Sequence, residues 1–152
     1  MITAWRLVKT RYASAAFDGE GARLYGGRWN SPGTAAAYAA ATVSLAVLEV
    51  LVHLEATTVL PSYSLTSITF DEALVEILPM AALPPHWWIS PPTNDVQAIG
   101  DQWIHEGRSA VLRVPSAVIP SESIYIFNVA HPGFAYVLRG APTPYAFDRR
   151  LL

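Results

Sequence analysis

Apolar and polar positions alternate along residues 3–8 (TAWRLV), which predicts a strand with Trp5 and Leu7 on one side and Arg6 on the other. A glycine-rich stretch over 18–34 reads as a loop, followed by a short strand in AAAYAA around Tyr38. Thr42 or Ser44 can cap a helix that carries Glu49 and ends near Glu55. Residues 63–70 (YSLTSITF) alternate and are rich in β-formers, so they predict a second long strand. Asp71 to Leu78 either continues the sheet or turns. Five prolines between 79 and 92 exclude a regular interior element there. A helix is expected from Thr93 or Asn94 to Gly107, with Ile99, Trp103 and Ile104 towards the core. A strand over 110–115 follows, then a long loop, then FAYVL at 134–138 and YAFD near 145–148 as closing strands. Two helices among several short strands predict an α+β fold in a single compact domain spanning residues 1–152.

Composition narrows this further. The chain has 152 residues, 52% hydrophobic and only 14% charged, which suits one domain with a substantial core and excludes disorder. A net charge of −2 gives no electrostatic basis for binding nucleic acid. Cysteine is absent, which removes disulfides, thiolate metal sites and a cysteine nucleophile. The apolar stretch at 35–54 approaches membrane length but carries Tyr38, Thr42, Ser44, Glu49 and His53, so it reads as a buried strand and helix. With no apolar leader in MITAWRLVKTRYAS, the expectation is a cytoplasmic protein without membrane contact. His53, His86, His105 and His131 form no ligand pattern, so no metal is expected.

Chemistry concentrates in three places. In GARLYGGRWNSPG (21–33), Arg28 follows a Gly-Gly pair and precedes an indole. Glycines permit close backbone approach to a ligand, and a guanidinium grips phosphate at two points. In TVSLAVLEVLVHL (42–54), Glu49 lies among apolar neighbours, where an ionised carboxylate needs a partner; His53 at i+4 is one. In VPSAVIPSESIYIFNVAHPGF (114–134), Ser116 follows a strand, with Ser121 and Ser123 nearby as rival serines, and Asn128 precedes His131-Pro132. No Ser–His–Asp context surrounds Ser116, so it is not read as a nucleophile.

Arginine, glutamate and serine in this order, from the Trp5-Arg6 opening to about Phe134, resemble the RES-domain family, toxins of bacterial toxin–antitoxin pairs that consume NAD. The resemblance implies an ADP-ribosyltransferase-like fold in which small β-sheets form an NAD cleft. It implies that NAD is a co-substrate whose nicotinamide–ribose bond is cleaved. The ADP-ribosyl group would pass to phosphate, to water or to a protein target. Nicotinamide leaves as a neutral molecule through an oxocarbenium-like transition state, so a carboxylate near the ribose, here Glu49, stabilises the positive charge. Arg28, with Arg6 as a second candidate, would hold the pyrophosphate. Tyr38 would line the site, stacking on nicotinamide or ordering the carboxylate. Ser116 would bind ribose or phosphate, and Asn128 matches the family's Asn…His-Pro element. Ile124-Tyr125 stands where the family commonly has Asn-Tyr, and Asn128-Val129 where it has Asn-Pro. A cognate antitoxin, a small helical protein with a DNA-binding domain, is the implied partner.

Two other classes fit parts of the pattern. A glycosidase would need a second carboxylate, for which Asp18, Glu20 and Asp95 are available. A non-catalytic nucleotide-binding module would leave Glu49 a structural role. The Trp87-Trp88 pair could stack on a sugar, although tryptophans flanked by prolines more often pack a loop onto the core.

Overall fold

The computed structural model describes residues 1–55 and 59–152. Its strands are β1 (Ile2–Lys9), β2 (Ala37–Ala40), β3 (Tyr63–Phe70), β4 (Val75–Ile77), β5 (Val111–Pro115), β6 (Ser123–Phe127), β7 (Leu138–Arg139) and β8 (Thr143–Tyr145). The helices are α1 (Glu20–Tyr25), α2 (Val43–Leu51) and α3 (Asn94–Glu106). The strands join in the order β4-β5-β6-β2-β1-β3-β7, with β8 also paired to β3. This is an α+β fold.

The sheet is continuous but unevenly stitched. β1 and β3 pair antiparallel along their full length, from Ile2↔Phe70 to Lys9↔Tyr63. β2 and β6 pair from Ala37↔Phe127 to Ala40↔Ile124. Between these two halves, β1 meets β2 at the register pair Trp5↔Ala40. Past that pair, Arg6 to Lys9 belong to one half and Ala37 to Ala39 to the other. The small sheets expected from the sequence are therefore two well-laddered parts of one sheet, meeting at a narrow seam.

Both faces are covered, which explains why the central strands are near-continuous apolar runs instead of strict alternations. Ala37, Ala39, Tyr125 and Phe127 join Phe70, Ile68 and Phe134 in one core. Ala40, Ile124, Ile126 and Leu112 join Trp29, Trp103, Leu45 and Val96 in another, beneath α2 and α3. A smaller cluster of Leu7, Val47 and Tyr63 seats α2 on β1 and β3.

Several expected elements change. Residues 123–127, read as part of a long loop, form β6 and occupy the middle of the sheet. Flanking Ser, Glu and Asn suggested a loop, but SIYIF is a short β-branched and aromatic run buried on both faces. FAYVL, read as a strand, is mostly a 3₁₀ turn over Pro132–Tyr136. Pro132 fits its first turn, and the His131 ring accepts the Gly133 N–H at 2.9 Å. Within 18–34 lies α1, whose six residues are too short for a clear helical period. The helix carrying Glu49 ends at Leu51, four residues earlier than expected; α3 and its left-handed Gly107 cap fall where predicted.

Candidate active site

Glu49 rides on α2, the helix that follows β2 directly. Thr42 is extended and accepts the Leu45 N–H at 3.1 Å, which starts the helix. Leu45, Ala46 and Val47 are buried on its inner face, leaving Glu49 half-buried at the edge. Its carboxylate accepts a hydrogen bond from the Ser116 hydroxyl at 2.8 Å. Ser116 is fully buried, and its oxygen accepts the N–H groups of Val118 and Ile119, both at 3.1 Å. With its oxygen engaged by two donors, the one hydroxyl proton is directed at Glu49. Among the three rival serines, Ser116 is the one brought to the carboxylate. Its hydroxyl donates to Glu49, so this serine, not His53, is the hydrogen-bond partner of the carboxylate.

Arg28 sits in the loop between α1 and β2. The loop closes through Gly27 N–H to Asn30 O at 2.9 Å and Gly33 N–H to Arg23 O at 2.7 Å. Arg28 Nη1 donates to the carbonyls of Trp87 (3.1 Å) and Ile89 (2.7 Å), and Nη2 donates to Ser90 Oγ at 2.7 Å. A planar guanidinium is thus already gripping a set of oxygens. Burial pushes its pKa below the ordinary arginine value, while Glu49 and then Tyr38 act in the opposite direction. Arg28 and Glu49, far apart in sequence and on separate elements, therefore lie within electrostatic reach of each other. Next to Arg28, Trp29 is buried and its ring meets Trp87 at 6.1 Å and 32°. Trp87 packs the proline-rich segment onto the core, as expected of the pair, while Trp88 stays exposed.

Tyr38 projects from β2 towards this loop. Its hydroxyl donates to Asn30 Oδ1 at 2.5 Å and accepts the Trp29 N–H at 3.2 Å. Burial raises its pKa beyond the ordinary tyrosine range, so the phenol stays neutral at any physiological pH. Arg6, on the β1 side of the seam, donates to the Ala16 carbonyl at 2.5 Å. Burial lowers its pKa, opposed by the charges of Asp18 and then Tyr38. Ser116 is bonded to Glu49, Tyr38 is bonded to the loop that carries Arg28, and electrostatic influence links Arg28 to Glu49 and Tyr38 and Arg6 to Tyr38, so these five residues make up the candidate group.

Among the described residues, Asn128 has no hydrogen bond to this group. It is buried at the far end of β6, past Phe127↔Ala37. Its amide donates to Ile104 O at 3.3 Å and its side-chain oxygen accepts the Ala130 N–H at 3.2 Å, tying the strand end to α3.

Asn30, Gln97 and Asp101 carry no obvious signal in the sequence yet build the site's floor. Gln97 donates to Gly27 O at 2.9 Å, and Asp101 accepts Ser31 through both its N–H (3.0 Å) and its hydroxyl (2.5 Å). Gly100 lets α3 lie against the loop, since a Cβ there would fall 1.8 Å from the Trp29 carbonyl oxygen. The carboxylates a glycosidase would need are spent locally. Asp18 accepts the Glu20 N–H, Glu20 pairs with Arg23, and Asp95 bonds Thr93. Among the described residues no group of three or more His, Asp or Glu could hold a metal, and no helix is long and apolar enough to cross a membrane. A cavity of about 640 Å³, lined by Thr10, Tyr63, Tyr145 and Phe147, shares no residue with this group.

The arrangement pairs two cationic donors with one carboxylate, which suits a ligand with an anionic diphosphate and a centre that turns cationic during reaction. Comparison with known proteins fits this geometry. The RES domain model matches residues 3–148. A protein named Toxin Res from Photorhabdus laumondii is 38% identical over 149 residues, covering 97% of this chain and 96% of its own. A Prs ADP-ribosylating toxin from a Sphingobium strain is 33% identical over 153 residues, covering 97% of this chain and 95% of its own. Among solved structures, the M. tuberculosis MbcT–MbcA toxin–antitoxin complex contains a chain that superposes with a TM-score of 0.73. It covers 95% of this chain and 84% of that one at 22% identity, a likeness of fold.

Proposed function

Given that this chain belongs to the RES-domain family, we propose that it is the toxin of a toxin–antitoxin pair and that it cleaves the nicotinamide–ribose bond of NAD. The observation that carries this is the Ser116 hydroxyl bound to the Glu49 carboxylate, whose charge acts on the Arg28 guanidinium. In this reading Arg28, aided by Arg6, binds the diphosphate. Its guanidinium exchanges the oxygens of Trp87, Ile89 and Ser90 for phosphate oxygens of similar geometry. Glu49 faces the ribose and stabilises the charge that develops at its anomeric carbon as the C–N bond breaks. The bonding pair leaves with nicotinamide, which departs neutral. An acceptor oxygen then bonds to the anomeric carbon and gives up its proton, for which the Glu49 carboxylate is a base within the site.

The acceptor is phosphate, water or a protein side chain; a relative is named for ADP-ribosylation, which supports transfer to protein as one of these outcomes. A cognate helical antitoxin is the proposed partner, in keeping with the fold neighbour's presence in a toxin–antitoxin complex. Purified protein incubated with NAD should release free nicotinamide, read by chromatography. Intact NAD after prolonged incubation at micromolar enzyme would refute the reading.

A further inference from the structure

We propose that Asn30 is the positioning residue of the site, locking the Tyr38 ring and the Arg28 backbone into one unit, and that Tyr38 therefore meets the ligand through its ring and not its hydroxyl. The proposal rests on the NAD reading above.

Asn30 is fully buried. Its Nδ2 donates to the carbonyls of Ala22 (3.0 Å), Thr34 (2.9 Å) and Ser31 (3.3 Å). Three acceptors on that side fix which end of the amide is nitrogen, because a carbonyl oxygen there would face three others. The Oδ1 end is thereby aimed at Tyr38, and it can only accept. The Tyr38 proton must go to it, and the bond is short at 2.5 Å. Trp29 N–H can only donate, so it occupies an acceptor site on the same phenol at 3.2 Å. The hydroxyl has no proton left for a carboxamide, a ribose or Glu49. What the tyrosine can still offer is its face, which is the apolar surface a nicotinamide or adenine ring stacks upon.

The same bonds fix Arg28. Its neighbours Trp29 and Asn30 are the residues tied to Tyr38, and Gly27 closes over the pair. A Cβ on Gly27 would lie 2.7 Å from the Tyr38 hydroxyl and 2.8 Å from Asn30 Oδ1. Any side chain at 27 would push the Tyr38 hydroxyl and the Asn30 amide out of their bond. Asn30 thus couples the part that would grip phosphate to the part that would stack, and it touches neither substrate nor reacting atoms itself.

The test uses the full chain with Asn30→Ala, Tyr38→Phe and Tyr38→Leu, measuring nicotinamide release against NAD concentration and ADP-ribose binding by calorimetry. Asn30→Ala should weaken ADP-ribose binding about tenfold at temperatures where circular dichroism shows it folded, because the Arg28 loop loses its anchor. Tyr38→Leu should lose about tenfold to a hundredfold in kcat through the missing ring face, and Tyr38→Phe, which restores the ring, should recover most of that loss. Adding Tyr38→Phe to Asn30→Ala should cost less in binding than Tyr38→Phe does in the parental chain, since the two changes share the Tyr38–Asn30 bond. A folded Asn30→Ala chain with parental ADP-ribose affinity overturns the assignment. So does a Tyr38→Phe chain as impaired in kcat as Tyr38→Leu, which decides the matter even where Asn30→Ala does not fold. A parental chain that releases no nicotinamide overturns the NAD reading itself, an outcome separable from either.

Discussion

Replacing Ser116 by alanine should cost both stability and turnover, and the two losses have separate origins. The hydroxyl is fully buried and serves three partners: it accepts from Val118 and Ile119 and donates to Glu49. Alanine leaves two N–H groups without an acceptor, for a loss of about 2–4 kcal/mol. For a chain of this length that lowers Tm by about 5–15 °C. The carboxylate loses the bond that fixes its rotamer, and a displacement of about 1 Å at a reacting group can cost about a hundredfold in kcat. KM should stay near parental, because Arg28 draws its contacts from a different segment. Thermal melts by circular dichroism and initial rates of nicotinamide release, taken well below the lowered Tm, separate the effects. Ser116→Thr restores the hydroxyl while crowding a buried site, so its turnover should recover further than its stability. A Ser116→Ala chain that is folded and keeps parental kcat would show that the bond to Glu49 has no part in the chemistry.

Glu49→Gln should abolish NAD consumption with the fold intact, at a cost of about 10²–10³ in rate, because a neutral amide cannot offset oxocarbenium charge; parental turnover would remove the carboxylate from the mechanism. Arg28→Lys should weaken ADP-ribose binding more than a surface charge swap does, since lysine cannot make the planar two-point contact, and calorimetry showing unchanged affinity would exclude Arg28 from the phosphate site. Gly100→Ala should lower both stability and NAD affinity because its methyl would collide with the Trp29 carbonyl beside Arg28; a melt and a KM equal to the parent's would contradict the bracing role of α3. Expressed alone in a bacterium, the chain should arrest growth and Glu49→Gln should not. A total NAD assay beside mass spectrometry for ADP-ribosylated protein tells a phosphorylase or hydrolase from a protein-directed transferase, and arrest with neither change would defeat the assignment.

The parts of the fold legible in the sequence are those whose signals are local and strong. Thr42 before an apolar helix and Gly107 after an amphipathic one marked α2 and α3, because capping is decided by a few adjacent residues. β1 and β3 alternate over enough residues to show a strand period. β6 was illegible for the opposite reason. Its place between β5 and β2 buries both faces, so SIYIF has no polar side to alternate, and polar residues on either flank read as a loop. Ser116 stood out by its position after a strand, but its role did not. Whether a hydroxyl meets a ligand or a carboxylate depends on α2 bringing Glu49 to the residue after β5, a long-range fact that no spacing encodes.

Asn30 shows where the boundary falls most sharply. Every partner of its side chain lies within eight residues, so the cluster is local in the chain, and yet N-S-P-G reads simply as a turn. The missing information is the path of the backbone: Gly26 and Gly33 both take positive φ, which folds the loop back so that the carbonyls of Ala22 and Thr34 converge on one amide. That convergence needs a wall to press against, and α3 supplies it from about seventy residues away through Gln97, Gly100 and Asp101. The glycines next to Arg28 were read from the sequence as making room for a ligand. In the structure they first make room for the protein itself: Gly27 for the Tyr38–Asn30 bond, and Gly26 for the close approach of Pro32. A loop so fully determined by its own bonds presents Arg28 from a fixed base. The guanidinium beyond that base is then the part left to exchange the oxygens of Trp87, Ile89 and Ser90 for those of a diphosphate.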